Sequence, residues 1–306
     1  MATRRSNTAT AEGVQAASIG GRPPITRRRI AIFVVLSLAI VAGFLLMRGA
    51  GLFAGAAGGG PRFEHVHGVG LNPADNTVYA GTHHGLFRVS AEGAPTRVAD
   101  RVQDFMGFTV VGPDHFLTSG HPAEGSLGPS SLGLVESTDG GNTWTSLSLA
   151  GEADFHALQA RHGNIYGYNS LTGAFMVSAD GKTWQTRTSL AMADFAVSPS
   201  NADVVLATTE QGLVRSSDGG WSFTALEAPL FLLISWAEDG TLVGVTPKGV
   251  VQLSSDQGTT WQQRGTAGGS PEALEVVSAD NIYLVAAGAV LASRDGGRTF
   301  ASLGRS

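Results

Sequence analysis

The sequence predicts an all-β fold, a six-bladed β-propeller, preceded by one N-terminal transmembrane helix. Three observations lead to this prediction. A turn motif recurs about every forty residues, short strands rich in β-branched and aromatic residues recur between its copies, and 18 consecutive uncharged residues lie near the N-terminus. A repeat of about forty residues that contains several short strands is typical of propellers, in which each repeat forms one blade.

Composition excludes several classes of function. The 306 residues include 42 Gly and no Cys, which excludes disulfides, thiolate metal ligands, a cysteine nucleophile and a lipoprotein anchor. Residues 1–61 carry seven arginines and one acidic residue, a formal charge of +6, whereas the remaining chain carries 13 basic and 24 acidic residues, a formal charge of −11. An acidic globular part without a basic stripe predicts that nucleic acid is not a partner.

The N-terminal region predicts a membrane anchor. Residues 1–29 form a basic cytoplasmic tail, residues 30–47 are apolar and long enough to cross the bilayer, and residues 48–61 form a Gly/Ala-rich linker. Six arginines precede the apolar segment and one follows it, so the positive-inside rule predicts that residues 62–306 lie outside the cytoplasm. We therefore expect a single-pass protein located in the cell membrane. The alternative is a signal segment cleaved near Ala54-Gly55-Ala56, which would make the protein secreted.

The repeated motif has five copies, centred on Asp139, Asp180, Asp218, Asp256 and Asp295. Subtracting successive positions gives steps of 41, 38, 38 and 39 residues. In each copy a Ser precedes the Asp by two residues, and Trp or Phe comes shortly afterwards. Gly follows the Asp directly, except in the fourth copy, where Gln257 stands between Asp256 and Gly258. Asp side chains accept hydrogen bonds from backbone amides a few residues ahead, and Gly supplies a positive φ, so the motif predicts a tight turn.

These copies resemble the Asp-box, or BNR, repeat, whose pattern is S-x-D-x-G-x-T-W. The resemblance implies that each copy lies on the turn between the third and fourth strands of a propeller blade. It implies a structural role for the motif, on the face of the propeller opposite the channel mouth.

Six candidate second strands fix the predicted number of blades. They begin at Thr77, His115, Asn164, Val204, Thr241 and Asn281. The first blade has only a degenerate motif, Ser90-Ala91-Glu92-Gly93. Residues 62–306 then provide about 41 residues for each of six blades, with five or seven blades as the alternatives. How the ring closes is left open.

The first strand of each blade is expected to line the central channel. In blades 1 to 4 these strands begin His65-Val66-His67, Asp104-Phe105-Met106, Asp154-Phe155-His156 and Asp194-Phe195-Ala196. Because side chains alternate along a strand, the middle residues are expected in the core and the outer ones in the channel. In blades 5 and 6 the matching positions are Ser235 or Trp236, and Glu275.

Histidines are concentrated at one part of the predicted ring. All eight lie between residues 65 and 162, and the turn between the second and third strands of blade 2 is unusually long, residues 119–133. This turn and the His83-His84 turn of blade 1 share a face with the starts of the first strands. A long loop on a rigid scaffold often carries function, so we expect a site at the mouth of blades 1 to 3.

Three functional classes fit this site. A binding module would hold a protein or glycan ligand through His65, His67, Asp104, Met106, His121, His156 and Asp194. A metal site would use the imidazoles of His65, His67, His121 and His156 for zinc, or for copper if Met106 contributes its sulfur. A glycosidase would use Asp104 and Asp154 as its carboxylate pair. Binding is the primary interpretation. The alternative for each Asp is a hydrogen bond to a backbone amide.

The peptides around His65, Asp104, His121 and Asp154 resemble those of bacterial membrane-associated Asp-box propellers of the sialidase-like superfamily that are classed as glycosyl hydrolases. This resemblance implies hydrolysis of a glycan. The catalytic parts of a sialidase, an arginine triad, a tyrosine nucleophile and an early Arg-Ile-Pro motif, are not found.

Overall fold

The computed structural model describes residues 63–92, 94–100 and 102–304, and within these ranges the chain forms 26 strands and no helix. The predicted tail, membrane segment and linker, residues 1–29, 30–47 and 48–61, lie outside the described residues. Within the described part of the chain, no helix has the length and hydrophobicity needed to cross a membrane.

The first three blades span residues 66–189. Blade 1 contains β1 (Val66–Asn72), β2 (Thr77–Thr82), β3 (Gly85–Val89) and β4 (Thr96–Arg97). The second blade and its insertion contain β5 (Asp104–Phe105), β6 (Thr109–Gly112), β7 (His115–Thr118), β8 (Gly120–His121), β9 (Leu134–Ser137) and β10 (Thr145–Ser148). Blade 3 contains β11 (Phe155–Arg161), β12 (Asn164–Asn169), β13 (Ala174–Ser178) and β14 (Gln185–Ser189).

The last three blades follow the same order. Blade 4 contains β15 (Asp194–Val197), β16 (Val205–Thr209), β17 (Gly212–Ser216) and β18 (Thr224–Ala225). Blade 5 contains β19 (Leu233–Trp236), β20 (Leu242–Val245), β21 (Val250–Ser254) and β22 (Gln262–Thr266). Blade 6 contains β23 (Pro271–Val276), β24 (Ile282–Ala286), β25 (Ala289–Ser293) and β26 (Ala301–Ser302). All six blades are four-stranded antiparallel sheets, which confirms the predicted six-bladed all-β fold.

The hydrophobic core is divided into six clusters, and each cluster lies between two adjacent blades. Phe155 of blade 3 packs with Leu117 and Leu134 of blade 2, for example, and Phe175 of blade 3 packs with Phe195 of blade 4. Both phenylalanines of blade 3 are 0% exposed. Burial of one such side chain contributes about 1.5–3 kcal/mol to stability, so each blade is stabilised through its neighbours.

The ring closes by packing and hydrogen bonding between complete blades. The cluster that joins blade 6 to blade 1 contains Val66 and Val78 of blade 1 with Tyr283 and Val285 of blade 6. The Val66 amide donates a hydrogen bond of 3.1 Å to Glu272 of blade 6. Blades 1 and 6 each consist of four strands consecutive in sequence, so no strand is shared between the chain ends among the described residues.

The five repeated turns join the third and fourth strands of blades 2 to 6 and share one hydrogen-bond pattern. In the first copy the Ser137 hydroxyl donates to Asp139 Oδ1 at 2.8 Å, and the Thr143 amide and hydroxyl donate to the same carboxylate at 2.9 and 2.6 Å. Trp144 then packs on Phe105, with ring centroids 5.0 Å apart. The motif therefore closes the turn and anchors an aromatic ring in the core.

Blade 2 departs from the prediction of one continuous first strand. Asp104–Phe105 (β5) pairs with Gly120–His121 (β8) in a separate two-stranded sheet, and the innermost strand of the blade is β6. Between β5 and β6 the Gly107 amide donates to the Phe155 carbonyl of blade 3 at 2.9 Å. The long insertion thus provides a partner for the start of the first strand, which the repeat pattern alone does not indicate.

We predict that Gln257→Gly stabilises the protein by about 0.5–1 kcal/mol. Gln257 has φ 60°, in the position where the other motif copies have Gly140, Gly181, Gly219 or Gly296 with φ between 68° and 74°. A side chain in the left-handed region costs about 1–2 kcal/mol, which exceeds the added flexibility of the unfolded glycine. Chemical denaturation measures the difference. The matched reverse variant is Gly219→Gln, where a Cβ meets only ordinary contacts at 3.6 Å, and it should lose about 1 kcal/mol. Equal stability of all three proteins would contradict the argument.

Candidate functional site

The channel mouth is formed by the starts of the first strands and by the turns between second and third strands. The predicted middle residues Val66, Phe105, Phe155 and Phe195 are buried in the core, as expected from alternation. Their neighbours His67, Met106, His156 and Asp194 line a common cavity of about 240 Å³. Blade 5 contributes Ser235 to this cavity, whereas Trp236 is 2% exposed and belongs to the core.

Three first strands contain a β-bulge at the mouth, at equivalent positions. In β1 the register shifts between Val66 and Gly68, which leaves His67 as the extra residue. The same shift leaves His156 as the extra residue of β11 and Glu272 as that of β23. A bulge redirects the side chain of the extra residue and changes the phase of alternation. Side chains with polar groups therefore project at the mouth without disturbing the core.

Three imidazoles and one carboxylate form a cluster at the mouth of blades 1 and 2, the histidine cluster (His65, His67, His83 and Asp104). One ring nitrogen from each histidine lies within 4.8 Å of the other two. His67 Nε2 is 3.2 Å from His83 Nε2, and the rings of His65 and His67 are stacked with centroids 5.5 Å apart. Asp104 reaches two of these rings, with Oδ2 3.0 Å from His83 Nδ1 and Oδ1 3.7 Å from His67 Nε2.

The pKa values of His67 and His83, two members of the histidine cluster, are shifted in opposite directions. Burial, together with the neighbouring His83, lowers the pKa of the His67 imidazole to about 3, although Asp104 opposes the shift. The hydrogen bond to Asp104 raises the pKa of His83. Asp104 Oδ1 is buried and has no hydrogen-bond partner among the described residues. An unpaired buried carboxylate oxygen beside the His67 imidazole, which burial keeps neutral, is an arrangement that a cation would stabilise.

Asp154 is the centre of a second cluster, formed with His121 and His156. Its side chain is 5% exposed, and its Oδ2 lies 2.8 Å from His156 Nε2 and 3.7 Å from His121 Nε2. The Ser170 hydroxyl donates to the same oxygen at 3.0 Å. Burial disfavours the charged carboxylate, but hydrogen bonding and the charges of the two histidines outweigh it and lower the pKa of Asp154.

Two other acidic side chains at the mouth accept hydrogen bonds from the backbone of the ring. Asp194 accepts from the Ile234 amide at 2.9 Å and from the Phe195 amide at 2.8 Å. Burial raises the pKa of Asp194 to about 7, although these amides favour the charged form. Glu272 accepts from Val66 and from Gly288. Asp194 thus has the contacts of the alternative structural role rather than those of a ligand-binding residue.

The far part of the channel is occupied by Arg161, which reaches from blade 3 to blades 4 and 5. Its guanidinium donates to the carbonyls of Val197 and Trp236 at 3.0 and 2.9 Å and forms an ion pair with Glu238 at 2.9 Å. Glu275 of blade 6 faces the same channel, and burial raises its pKa to about 7 although Arg161 opposes the shift.

The structure brings together part of the predicted site. Of the four predicted metal-binding histidines, His65 and His67 share a cluster, whereas His121 and His156 surround Asp154, so the four do not converge on one point. The third imidazole beside His65 and His67 is that of His83. The sequence feature that could have indicated His83 is the His83-His84 turn between the second and third strands of blade 1, which lies on the face where the first strands start. Which of the two turn residues points inward depends on the turn geometry.

Comparison with known proteins supports the fold and no closer assignment. No family model and no curated protein matches the chain. A gluconolactonase from Xanthomonas campestris is similar over 77% of this chain and 94% of its own, with 13% identity and a TM-score of 0.58. YCF48 from Cyanidioschyzon merolae is similar over 76% and 97%, with 11% identity and a TM-score of 0.53. Virginiamycin B lyase from Staphylococcus aureus is similar over 79% and 83%, with 12% identity and the same TM-score. Identities this low show a shared propeller fold alone.

We predict that Glu275→Gln makes the protein more stable above pH 7. The folded chain holds the Glu275 proton up to about pH 7, whereas the unfolded chain loses it near the ordinary value of 4.5. The free energy of unfolding therefore decreases as pH rises through this interval, by an amount on the order of 2 kcal/mol. Chemical denaturation across this range should show a flatter profile for the variant. The exposed Glu227→Gln serves as control and should follow the wild type. Parallel profiles for Glu275→Gln and the wild type would exclude this role.

Proposed function

We propose that this protein binds a transition-metal ion at the channel mouth through His65, His67 and His83, with Asp104 as the carboxylate that holds His83. The observation that carries the proposal is the convergence of three imidazole nitrogens within 4.8 Å, beside a buried carboxylate oxygen that lacks a partner. Three imidazoles match the three protein ligands of catalytic zinc sites, which keep the fourth position open. Asp104 would hold His83 in place, since its Oδ2 lies 3.0 Å from His83 Nδ1. In the described part of the chain, no other group of histidine and acidic side chains brings three ligand atoms this close.

Zinc is the ion that this ligand set favours, with copper as the second candidate. Both ions bind imidazole nitrogens, and copper also accepts a thioether sulfur. Met106 lines the same cavity as His67 and is 8% exposed, so its sulfur is the feature that favours copper. A bound ion at an open mouth offers a coordination position to a further ligand, such as a group from a glycan or a protein. The proposed role is therefore metal-assisted binding.

Glycoside hydrolysis by Asp104 and Asp154 has weaker support. That chemistry needs one carboxylic acid that keeps its proton near neutral pH, which requires a raised pKa. The pKa of Asp154 is lowered, and Asp104 lies 3.0 Å from the imidazole of His83. Asp154 therefore favours its charged form and offers no proton to a glycosidic oxygen. We retain hydrolysis of a glycan as the second candidate because of the motif resemblance alone.

The proposal includes a family and a location. We assign the five repeated turns to the Asp-box class, on the basis of their sequence pattern and of the hydrogen bond that the Ser hydroxyl donates to the Asp carboxylate in every copy. Residues 30–47 anchor the chain in the cell membrane, and the propeller lies on the extracytoplasmic side. The charge distribution around the apolar segment supports this orientation.

We predict that the purified, untagged full-length protein retains close to one zinc or copper ion per chain. His67→Ala and His83→Ala each remove a ligand and should weaken binding by more than the roughly 10–100-fold typical of outer contacts. Elemental analysis and calorimetric titration measure this loss. His84→Ala is the matched control, because His84 lies in the same turn but pairs with Glu64 at 3.0 Å and is 55% exposed.

Stability distinguishes a ligand from a structural residue in the same variants. The melting temperatures of metal-free His67→Ala and His83→Ala should lie close to that of the metal-free wild type, because neither ring fills the core. A large loss of stability would indicate a structural role for the histidine instead. Absence of retained metal in the wild type after exposure to both ions would remove the metal proposal.

The location predicts a measurable topology. Alkaline phosphatase, which is active only outside the cytoplasm, should be active when fused after Ser306. Mass analysis of the N-terminus should find residues 1–47 still attached. A mature N-terminus near Ala56 would support the cleaved alternative, and an inactive fusion would contradict the extracytoplasmic placement.

A further inference from the structure

His156 and Asp154 form a hydrogen-bonded pair that metal binding by the histidine cluster does not use. The distance between His156 Nε2 and Asp154 Oδ2 is 2.8 Å, and Ser170 holds the same carboxylate oxygen from the other side at 3.0 Å. The carboxylate is almost fully buried, whereas the imidazole is 41% exposed. A buried carboxylate that fixes one nitrogen of an accessible imidazole leaves the other nitrogen, Nδ1, to act on a bound molecule.

One residue of the pair and one residue of the histidine cluster line the same cavity. His67 and His156 are the bulged residues of β1 and β11, and both line the channel cavity. No hydrogen bond or ion pair with another described residue involves His156 Nδ1, and 41% of the His156 side chain is exposed. His121 differs, because its Nδ1 lies 2.8 Å from the Ser130 carbonyl and is used within the insertion of blade 2.

We propose that His156, positioned by Asp154, is the general base of a hydrolytic centre that cleaves small uncharged carboxylic esters at the channel mouth. This inference rests on the metal site proposed above. The ion would bind a water molecule and make it more acidic, and His156 Nδ1 would accept the proton of that water. Asp154 would stabilise the resulting imidazolium through the existing hydrogen bond.

The chemical step balances with water as the only co-reactant. The hydroxide adds to the ester carbonyl carbon, so a C–O bond forms and a tetrahedral oxyanion develops. The oxyanion then collapses, the bond to the alcohol oxygen breaks, and the imidazolium returns its proton to the departing alkoxide. The products are one carboxylic acid and one alcohol, and His156 is regenerated in its starting protonation state.

The cavity indicates the class of substrate. Among the described residues that line it, none is Lys or Arg, so no cationic side chain would pair with a phosphate or carboxylate group of a substrate. Its volume of about 240 Å³ is smaller than that of pockets for drug-sized ligands, which favours a short acyl group. Glycosides are disfavoured because Asp154 is paired as a charged hydrogen-bond acceptor and offers no proton to a sugar oxygen.

The test uses full-length protein loaded with zinc and the hydrolysis of phenyl acetate. The wild type should hydrolyse this ester faster than the same protein after removal of zinc. His156→Ala should lower kcat by about 10²–10⁴-fold while the zinc content stays that of the wild type. Added imidazole should restore part of the activity of His156→Ala. His84→Ala, an exposed histidine outside the cavity, should keep the wild-type rate.

Asp154→Asn tests the positioning role separately. The variant should lower kcat by about tenfold or more, and KM and zinc content should remain those of the wild type. A rise in KM or loss of zinc would instead indicate that Asp154 shapes the mouth. Unchanged kcat in His156→Ala, or no zinc-dependent hydrolysis by the wild type, would overturn the hydrolytic inference while metal binding stands. A wild type that binds no zinc or copper would overturn both proposals.

Discussion

The structure depends on apolar packing between neighbouring blades. A four-stranded blade has two faces and cannot bury them alone, so each face is covered by the next blade and six clusters of buried side chains follow one another around the ring. The cluster between blades 6 and 1 is of the same kind as the others. Because its closure relies on this packing and on hydrogen bonds such as that of Glu272, the ring needs no strand exchanged between its ends.

A second constraint acts where the inner strands meet. Their backbone amides point toward the neighbouring blade, and a buried amide without a partner is costly. At every junction a side chain of one blade accepts an amide of the next; the acceptors are Asn72, Ser119, Gln159, Asp194, Ser235 and Glu272. Most polar groups of the channel are used in this way. The histidines and carboxylates at the mouth of blades 1 to 3 are what remains for function.

The functional proposals follow from this asymmetry. Blades 4 to 6 present short turns and structural acceptors, whereas blades 1 to 3 present two bulged histidines and an insertion that pairs with Asp104. The metal ligands would come from blade 1, Asp104 beside them from blade 2, and the proton-accepting pair from blade 3. The ring of blades holds the metal-binding residues and the His156–Asp154 pair around one small cavity, so the proposed site needs no conformational change to form.

The sequence by itself determined the repeat, the turns and the number of blades. Each hydrogen bond from Ser137 or Thr143 to Asp139 joins residues no more than four positions apart, so the pattern of the turn can be recognised locally. The sequence also placed His65, His67, Asp104 and Asp154 at the mouth. Only the tertiary structure decided how they group. The bulges at His67 and His156 break the period of two, and their trace in the sequence, apolar residues three apart at Val66 and Val69, is weak. His83 joins the histidine cluster, and Asp194 accepts a hydrogen bond from a backbone amide of blade 5. Both facts depend on tertiary contacts, which a local sequence pattern does not encode.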